Sequence, residues 1–229
     1  MRALMLMVAC CAAVPAEPLY NHDFEAEDAA DGWRHKSNTT VDVRPPEPLR
    51  GHGAMRFVID PTEFSYGWIH RTLPDVDFGS VAGVRGFYRA AQGARGQLTM
   101  HFCLQTEGAE LSYFRGDLGR LGDSDNQWIE FYAALQELRY ERGPIRTLRP
   151  AALNPEDLIQ FIASVEGREP VAIDLDEVEF LPPEDAAEVA RRCAQAARAR
   201  LLLREDEVTG PGHPRLFFTA DQLPQYRAK

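Results

Sequence analysis

VAIDLDEVEFL, residues Val171–Leu181, is the stretch that decides the reading of this chain. Branched and apolar side chains alternate with acids, and Pro170 on one side and Pro182-Pro183 on the other fence the run off. Proline cannot extend a strand ladder, so the segment reads as one long β-strand that closes a domain. Working upstream, further strands are expected at Thr39–Arg44, Ala54–Asp60, Tyr66–Leu73, Val84–Ala90, Gln97–Gln105, Glu110–Arg115, Trp128–Leu135 and Leu158–Val165. Their separators carry turn chemistry: Pro45-Pro46, Gly51 with Gly53, Pro61, Gly79, Gly93, Gly116 with Gly119, and Gly122-Asp123. Within Gln97–Gln105, Leu98, Met100, Phe102 and Leu104 fall on one face and Thr99, His101 and Cys103 on the other. Many short strands with no helical period before Glu184 predict an all-β antiparallel β-sandwich over residues 17–182.

Composition narrows the function classes. The 229 residues carry 45% hydrophobic and 26% charged side chains, ordinary for a globular protein. A net charge of −10 and a pI near 5.1 lack the basic footprint of a nucleic-acid binder, so no nucleic-acid partner is expected. Cys10 and Cys11 are adjacent, and Cys103 and Cys193 stand alone, which gives neither a disulfide framework nor a zinc site. Residues 1–16 read as a secretory signal: Arg2, an apolar run from Ala3 to Ala13, then Val14-Pro15-Ala16 at the cleavage position. The run is too short to span a membrane. The protein is therefore expected to be secreted or periplasmic, with a lipoprotein signal ending at Cys10 as the rival reading.

Downstream of the closing strand the pattern changes. Pro183 at a helix start, Glu184 and Asp185 in the first turn and an Ala/Arg-rich run to Arg204 predict a linker helix over 183–204. Val189, Cys193, Ala196, Ala197 and Leu201 form its apolar stripe, suited to packing against protein more than to lying on a membrane. Residues 205–229 read as a polar linker followed by a short, truncated tail.

Two resemblances follow from these residues. Asp23-Phe24-Glu25 with Gly32-Trp33, the strand Ala54-Met55-Arg56-Phe57, Trp128-Ile129-Glu130-Phe131 and the closing Leu175–Phe180 together resemble the galactose-binding-like jelly roll of carbohydrate-binding modules. His213-Pro214-Arg215-Leu216-Phe217-Phe218, followed by Leu223-Pro224, resembles the start of the catalytic region of heparinase II/III-like and alginate-lyase-like proteins. The alternative for Leu216–Phe218 is an apolar strand pairing back onto the sandwich. The resemblances imply the N-terminal, non-catalytic module of a secreted polysaccharide lyase, contacting a downstream catalytic domain. A structural or adhesion module without sugar affinity is the other reading. No catalytic residue is assigned, because no GxSxG, HExxH or phosphate-loop run occurs.

The jelly-roll resemblance also implies a structural Ca²⁺ between the first and last strands, held by hard oxygen ligands. Asp23 and Glu25 alternate on the opening strand and Asp176 matches the acidic position on the closing one, with carbonyls from the Arg50–Gly53 turn to complete the shell. Solvated acids, or acids paired with Arg50 and Arg56, are the bland alternative. For a polysaccharide partner, Trp128 and Tyr132 share a strand parity with Glu130, and Arg89 and His101 on neighbouring strands are expected to join them on one outer face. Trp68 could also serve, whereas Trp33 after Gly32 is expected to plug one end of the sandwich.

Overall fold

A computed structural model describes residues 18–208 except 27, 44–47, 50, 52 and 109, with 201–208 described by backbone. The signal segment, the Arg44 end of one expected strand, part of the Arg50–Gly53 turn and the His213–Pro224 motif lie outside the described residues. The strands are β1 (Tyr20–His22), β2 (Arg34–His35), β3 (Thr39–Asp42), β4 (Met55–Ile59), β5 (Tyr66–Thr72) and β6 (Gly83–Ala90), then β7 (Gly96–Gln105), β8 (Leu111–Arg120), β9 (Ile129–Ala134), β10 (Arg139–Arg142), β11 (Leu158–Val165) and β12 (Val171–Leu181). One helix, α1 (Pro183–Val208), follows. No helix among the described residues is long and apolar enough to cross a membrane.

The strands form two antiparallel sheets. The first runs β3-β4-β12-β6-β9, with β1 beside the far end of β12; the second runs β10-β8-β7-β11-β5-β2. This is the expected β-sandwich, and β12 is central to its first sheet, pairing with β4 and β1 on one side and β6 on the other. The apolar sets of both sheets meet in the middle: Phe57, Ile59, Tyr88 and Phe180 from the first, Leu98, Met100, Phe102, Phe114 and Phe161 from the second, each at most 1% exposed. Full burial of side chains this size stabilises the fold by about 1.5–3 kcal/mol apiece. Trp33 plugs one end as expected, 6.2 Å from Phe161 and 6.1 Å from Phe24 between ring centroids.

The long closing strand is where sequence and structure part most instructively. Val171, Ile173 and Leu175 point into the core, but so do Val178 and Phe180, an odd step away. A bulge between Asp176 and Glu179 absorbs the extra residue, with Glu177 at φ +44. The alternating acids are not solvated as an alternating strand suggests. Asp174, Asp176, Glu177 and Glu179 are all below 10% exposed. Asp174 accepts from Arg56 Nε (2.7 Å) and Arg89 Nη2 (2.7 Å), and Glu179 from Arg85 Nη1 (2.7 Å). A second correction concerns β8, which runs through Gly116 and Gly119 instead of turning there. Gly116 lies under Leu138 and Gly119 (φ +151) under the Tyr88 hydroxyl, so both glycines make room for side chains crossing the strand.

Helix α1 runs to Val208, four residues beyond the expected end. Ala186 and Val189 are buried against the first sheet, and Arg192 clasps Glu130 on β9 through Nε (2.7 Å) and Nη2 (2.5 Å). Ala196 and Ala197 of the expected stripe are exposed, because only the first turns of the helix lie on the sandwich.

Candidate functional site

Side-chain parity across the second sheet builds one continuous outer face. Its inward set includes Ile69, Leu98, Met100 and Phe161, so Trp68, His70, Thr99, His101, Cys103, Tyr113, Gln160 and Ile162 must point the other way. Register aligns them in rows: Gln160 sits between His70 and His101, and Ile162 between Trp68 and Thr99. His101 pairs in turn with Arg115, and Cys103 with Tyr113.

The floor of this face is polar yet covered: Thr99, His101, Cys103 and Gln160 are all below 8% exposed. Taller, half-exposed groups flank it. On one side the Trp68 and His70 rings stack, 4.8 Å apart at 28°. On the other, Tyr113 stands edge-on to His101 at 6.1 Å and Arg142 lies 4.3 Å over the Tyr113 ring. Glu141 Oε2 is 3.4 Å from His101 Nε2, and Arg115 pairs with Asp117 at 2.8 Å.

The electrostatics keep the floor uncharged. Burial pushes His101 down to about 4, with Arg115 and Arg142 acting in the same direction and Glu141 and Asp117 opposing them. At neutral pH the ring is therefore a neutral donor–acceptor, and its Nδ1 makes no hydrogen bond among the described residues. Burial likewise pushes the Cys103 thiol up to about 12, so it is no nucleophile. A polar, uncharged floor between an aromatic stack and a Tyr/Arg wall can bind a flat, hydroxyl-rich ligand.

The four residues expected to share a binding face do not share one. His101 is on the second sheet, whereas Arg89 and Trp128 are on the outer face of the first, on the opposite side of the sandwich. Arg89 and Trp128 do meet, with the guanidinium 4.9 Å over the indole, but that guanidinium is already committed to Asp174. Tyr132 lies beside α1, where it lines a cavity of about 840 Å³ with Ala186, Ala190 and Ala197. Small helix side chains form one wall of that cavity, and β9 with the 135–137 turn forms the other. Sequence reasoning missed His70, Tyr113, Gln160, Glu141 and Arg142. The spacing Tyr66, Trp68, His70 in YGWIHRT was the available signal, since aromatic rings two apart on a strand share a face.

The expected calcium ligands are differently placed from the strand reading. β1 ends at His22 and Phe24 takes φ +56, so Asp23 and Glu25 are past the strand and do not alternate on it. Asp23 Oδ1 accepts from the Glu25 amide at 3.2 Å, and Glu25 Oε1 from the Gly53 amide at 3.2 Å. Asp176 accepts from the amides of Leu49 (3.1 Å) and Glu177 (2.7 Å). Asp176 thus holds Leu49 and Glu25 holds Gly53. Among the described residues no three His, Cys, Asp or Glu side chains converge as a metal shell.

No protein-family model matches this sequence, and no curated protein sequence does. Solved structures do. The CBM22-1 xylan-binding domain of Paenibacillus barcinonensis Xyn10C is similar with a TM-score of 0.50 at 16% identity, over 75% of this chain and 97% of that one. The CBM22-1–CBM22-2 tandem of the same protein gives 0.51 at 19% identity, over 75% of this chain and 47% of that one. The CBM22-1–GH10 modules of Clostridium thermocellum Xyn10B, complexed with xylohexaose, give 0.50 at 13% identity, over 72% and 28%. The likeness is one of fold: this chain has the jelly roll of carbohydrate-binding modules.

Proposed function

We propose that this chain is a carbohydrate-binding module of an exported polysaccharide-degrading protein, and that the outer face of the second sheet is its glycan platform. The observation that carries the reading is the stacked Trp68–His70 pair beside the buried polar floor of Gln160 and His101. Aromatic faces take the C–H patches of a sugar ring while planar amide and imidazole groups take its hydroxyls. The fold it shares with xylan-binding modules supports the same reading. Affinity electrophoresis of the mature chain through xylan, mixed-linkage glucan and alginate tests it. Retardation by at least one polymer is expected, with a loss of roughly thirtyfold in affinity for Trp68→Ala, the scale of a central aromatic anchor. Retardation by none would favour a module that only braces its neighbour.

Two finer parts belong to the same proposal. The leader-like residues 1–16 support export, and His213–Phe218 supports a downstream lyase domain of the heparinase II/III or alginate-lyase type, which the module contacts within one chain. Calcium is the other part. Of the expected set, Glu25 and Asp176 would hold the ion through carboxylate oxygens, with backbone carbonyls of the Arg50–Gly53 turn completing the shell, as that hard cation permits. Its chemistry there would be structural, tying the turn to the segment after β1 and to the middle of β12. A rise in melting temperature in millimolar Ca²⁺ is expected, reduced by Asp176→Asn; no shift removes the calcium part alone.

A further inference from the structure

Resting on the glycan reading above, we infer that the platform has a second subsite at Tyr66 and Phe64. A linear glycan then lies lengthwise along β5 and is held by several consecutive sugar units. What carries this is a repeat of surroundings along that strand. Gly67 and Ile69 are buried, so Tyr66, Trp68 and His70 stand together on the outer face, with about 6.8 Å between successive side chains. His70 has Gln160 beside it and His101 next, with Arg34 of β2 on the other flank. Tyr66 has Ser164 beside it and Gln97 next, with Lys36, just past β2, on the other flank. Each ring thus lies between hydrogen-bonding side chains and a long basic one, and Trp68 stands midway.

The second ring pair is both open to a ligand and held in place. Tyr66 and Phe64 are 42% and 36% exposed, so solvent reaches both rings. Their centroids are 5.9 Å apart, and Lys36 Nζ sits 3.4 Å from the Phe64 centroid and 4.8 Å from that of Tyr66. The Asn38 side-chain amide donates to the carbonyls of Asp60 (2.9 Å) and Phe64 (3.1 Å), which fixes the turn leading into β5. Rings ordered before binding lose little freedom when a sugar stacks on them. The exposed Ser164 hydroxyl makes only a long contact to the Gln97 carbonyl, at 3.5 Å, which leaves it available to a sugar hydroxyl.

The spacing sets the ligand. Tyr66 and His70 are four residues apart on one strand, about 14 Å at ~3.4 Å per residue. One sugar ring cannot cover both, so the ligand that uses both is an extended chain passing over Trp68. Its second contact is then made within an already bound molecule, and affinity grows with chain length. A platform that grips a single terminal sugar would need the Trp68–His70 pair alone.

The test is calorimetric titration of the mature chain with oligosaccharides of xylan, mixed-linkage glucan and alginate, from disaccharide to hexasaccharide. In a series that binds, affinity should rise by at least about tenfold with length. Tyr66→Ala should lower hexasaccharide affinity by roughly tenfold, the scale of one interface aromatic. Tyr66→Phe keeps the ring and should keep most of the affinity, and both variants should melt with the parent because the position is exposed. Hexasaccharide affinity unchanged in Tyr66→Ala, lost equally in Tyr66→Phe, or no greater than that of the disaccharide overturns the inference and leaves the glycan reading standing. Binding of no oligosaccharide and none of the three parent polymers overturns both.

Discussion

Replacing Asp174 with alanine should be the most damaging single change on the outer face of the first sheet. Its two oxygens accept from Arg56 Nε (2.7 Å) and Nη2 (2.9 Å) and from Arg89 Nε (3.0 Å) and Nη2 (2.7 Å). The Asp174 and Arg89 side chains are only 3% and 5% exposed. Truncation would leave the Arg89 cation buried without this carboxylate, and removing one partner of a buried pair costs about 3–5 kcal/mol. For a domain of this size that is a fall of roughly 6–20 °C in melting temperature. Arg192→Ala supplies the contrast: its link to Glu130 is at the surface, with the arginine 45% exposed, and should cost no more than about 1 kcal/mol. Urea unfolding followed by tryptophan fluorescence reads both. Asp174→Ala within 1 kcal/mol of the parent would refute the reasoning, since it would mean that the arginines are solvated in the folded state.

Two further outcomes follow from the same geometry. His101 has a folded pKa depressed to about 4, through burial above all and then the charges of Arg115 and Arg142 against Glu141 and Asp117. Its contribution to stability is complete above the unfolded value near 6.5 and is lost as pH falls from there towards 4, at up to about 1.4 kcal/mol per pH unit. Denaturation midpoints across pH 4–7 should show that slope, and His101→Gln should flatten it; an unchanged slope would show that the ring is not buried neutral. Gly96→Ala should destabilise by more than about 1 kcal/mol, because the backbone is at φ +131 and a Cβ there would collide with the Ser164 carbonyl on β11. A neutral substitution in thermal melts would contradict the β7–β11 register.

The sequence made the sandwich legible because burial imposes a period of two on half-exposed strands, and Leu98, Met100, Phe102 and Leu104 display it openly. It made the bulge in β12 harder to see. Val171, Ile173 and Leu175 keep one parity and Val178 and Phe180 take the other, so the slip was written in the spacing, but the interleaved acids made the run look uniformly alternating. The expectation that Trp128, Tyr132, Arg89 and His101 share one face failed for a different reason. Parity shows which residues of one strand share a side, yet it does not say to which sheet a strand belongs. Trp128 and His101 each point outward, and only the strand order puts β9 and β7 in different sheets. Gly116 and Gly119 misled in the ordinary way: a glycine that admits a crossing side chain has the same letter as one that turns the chain.

Either side of the sandwich could in principle meet a glycan, and the proposed function places it on the second sheet. Titrating a xylan or uronate oligosaccharide into isotopically labelled protein, and following its amide, indole and imidazole signals, addresses that directly. The expected result is a set of shifts confined to Trp68, His70, Tyr113, Gln160 and their strand neighbours. Shifts centred on Trp128 and Arg89, with the second sheet unmoved, would contradict it.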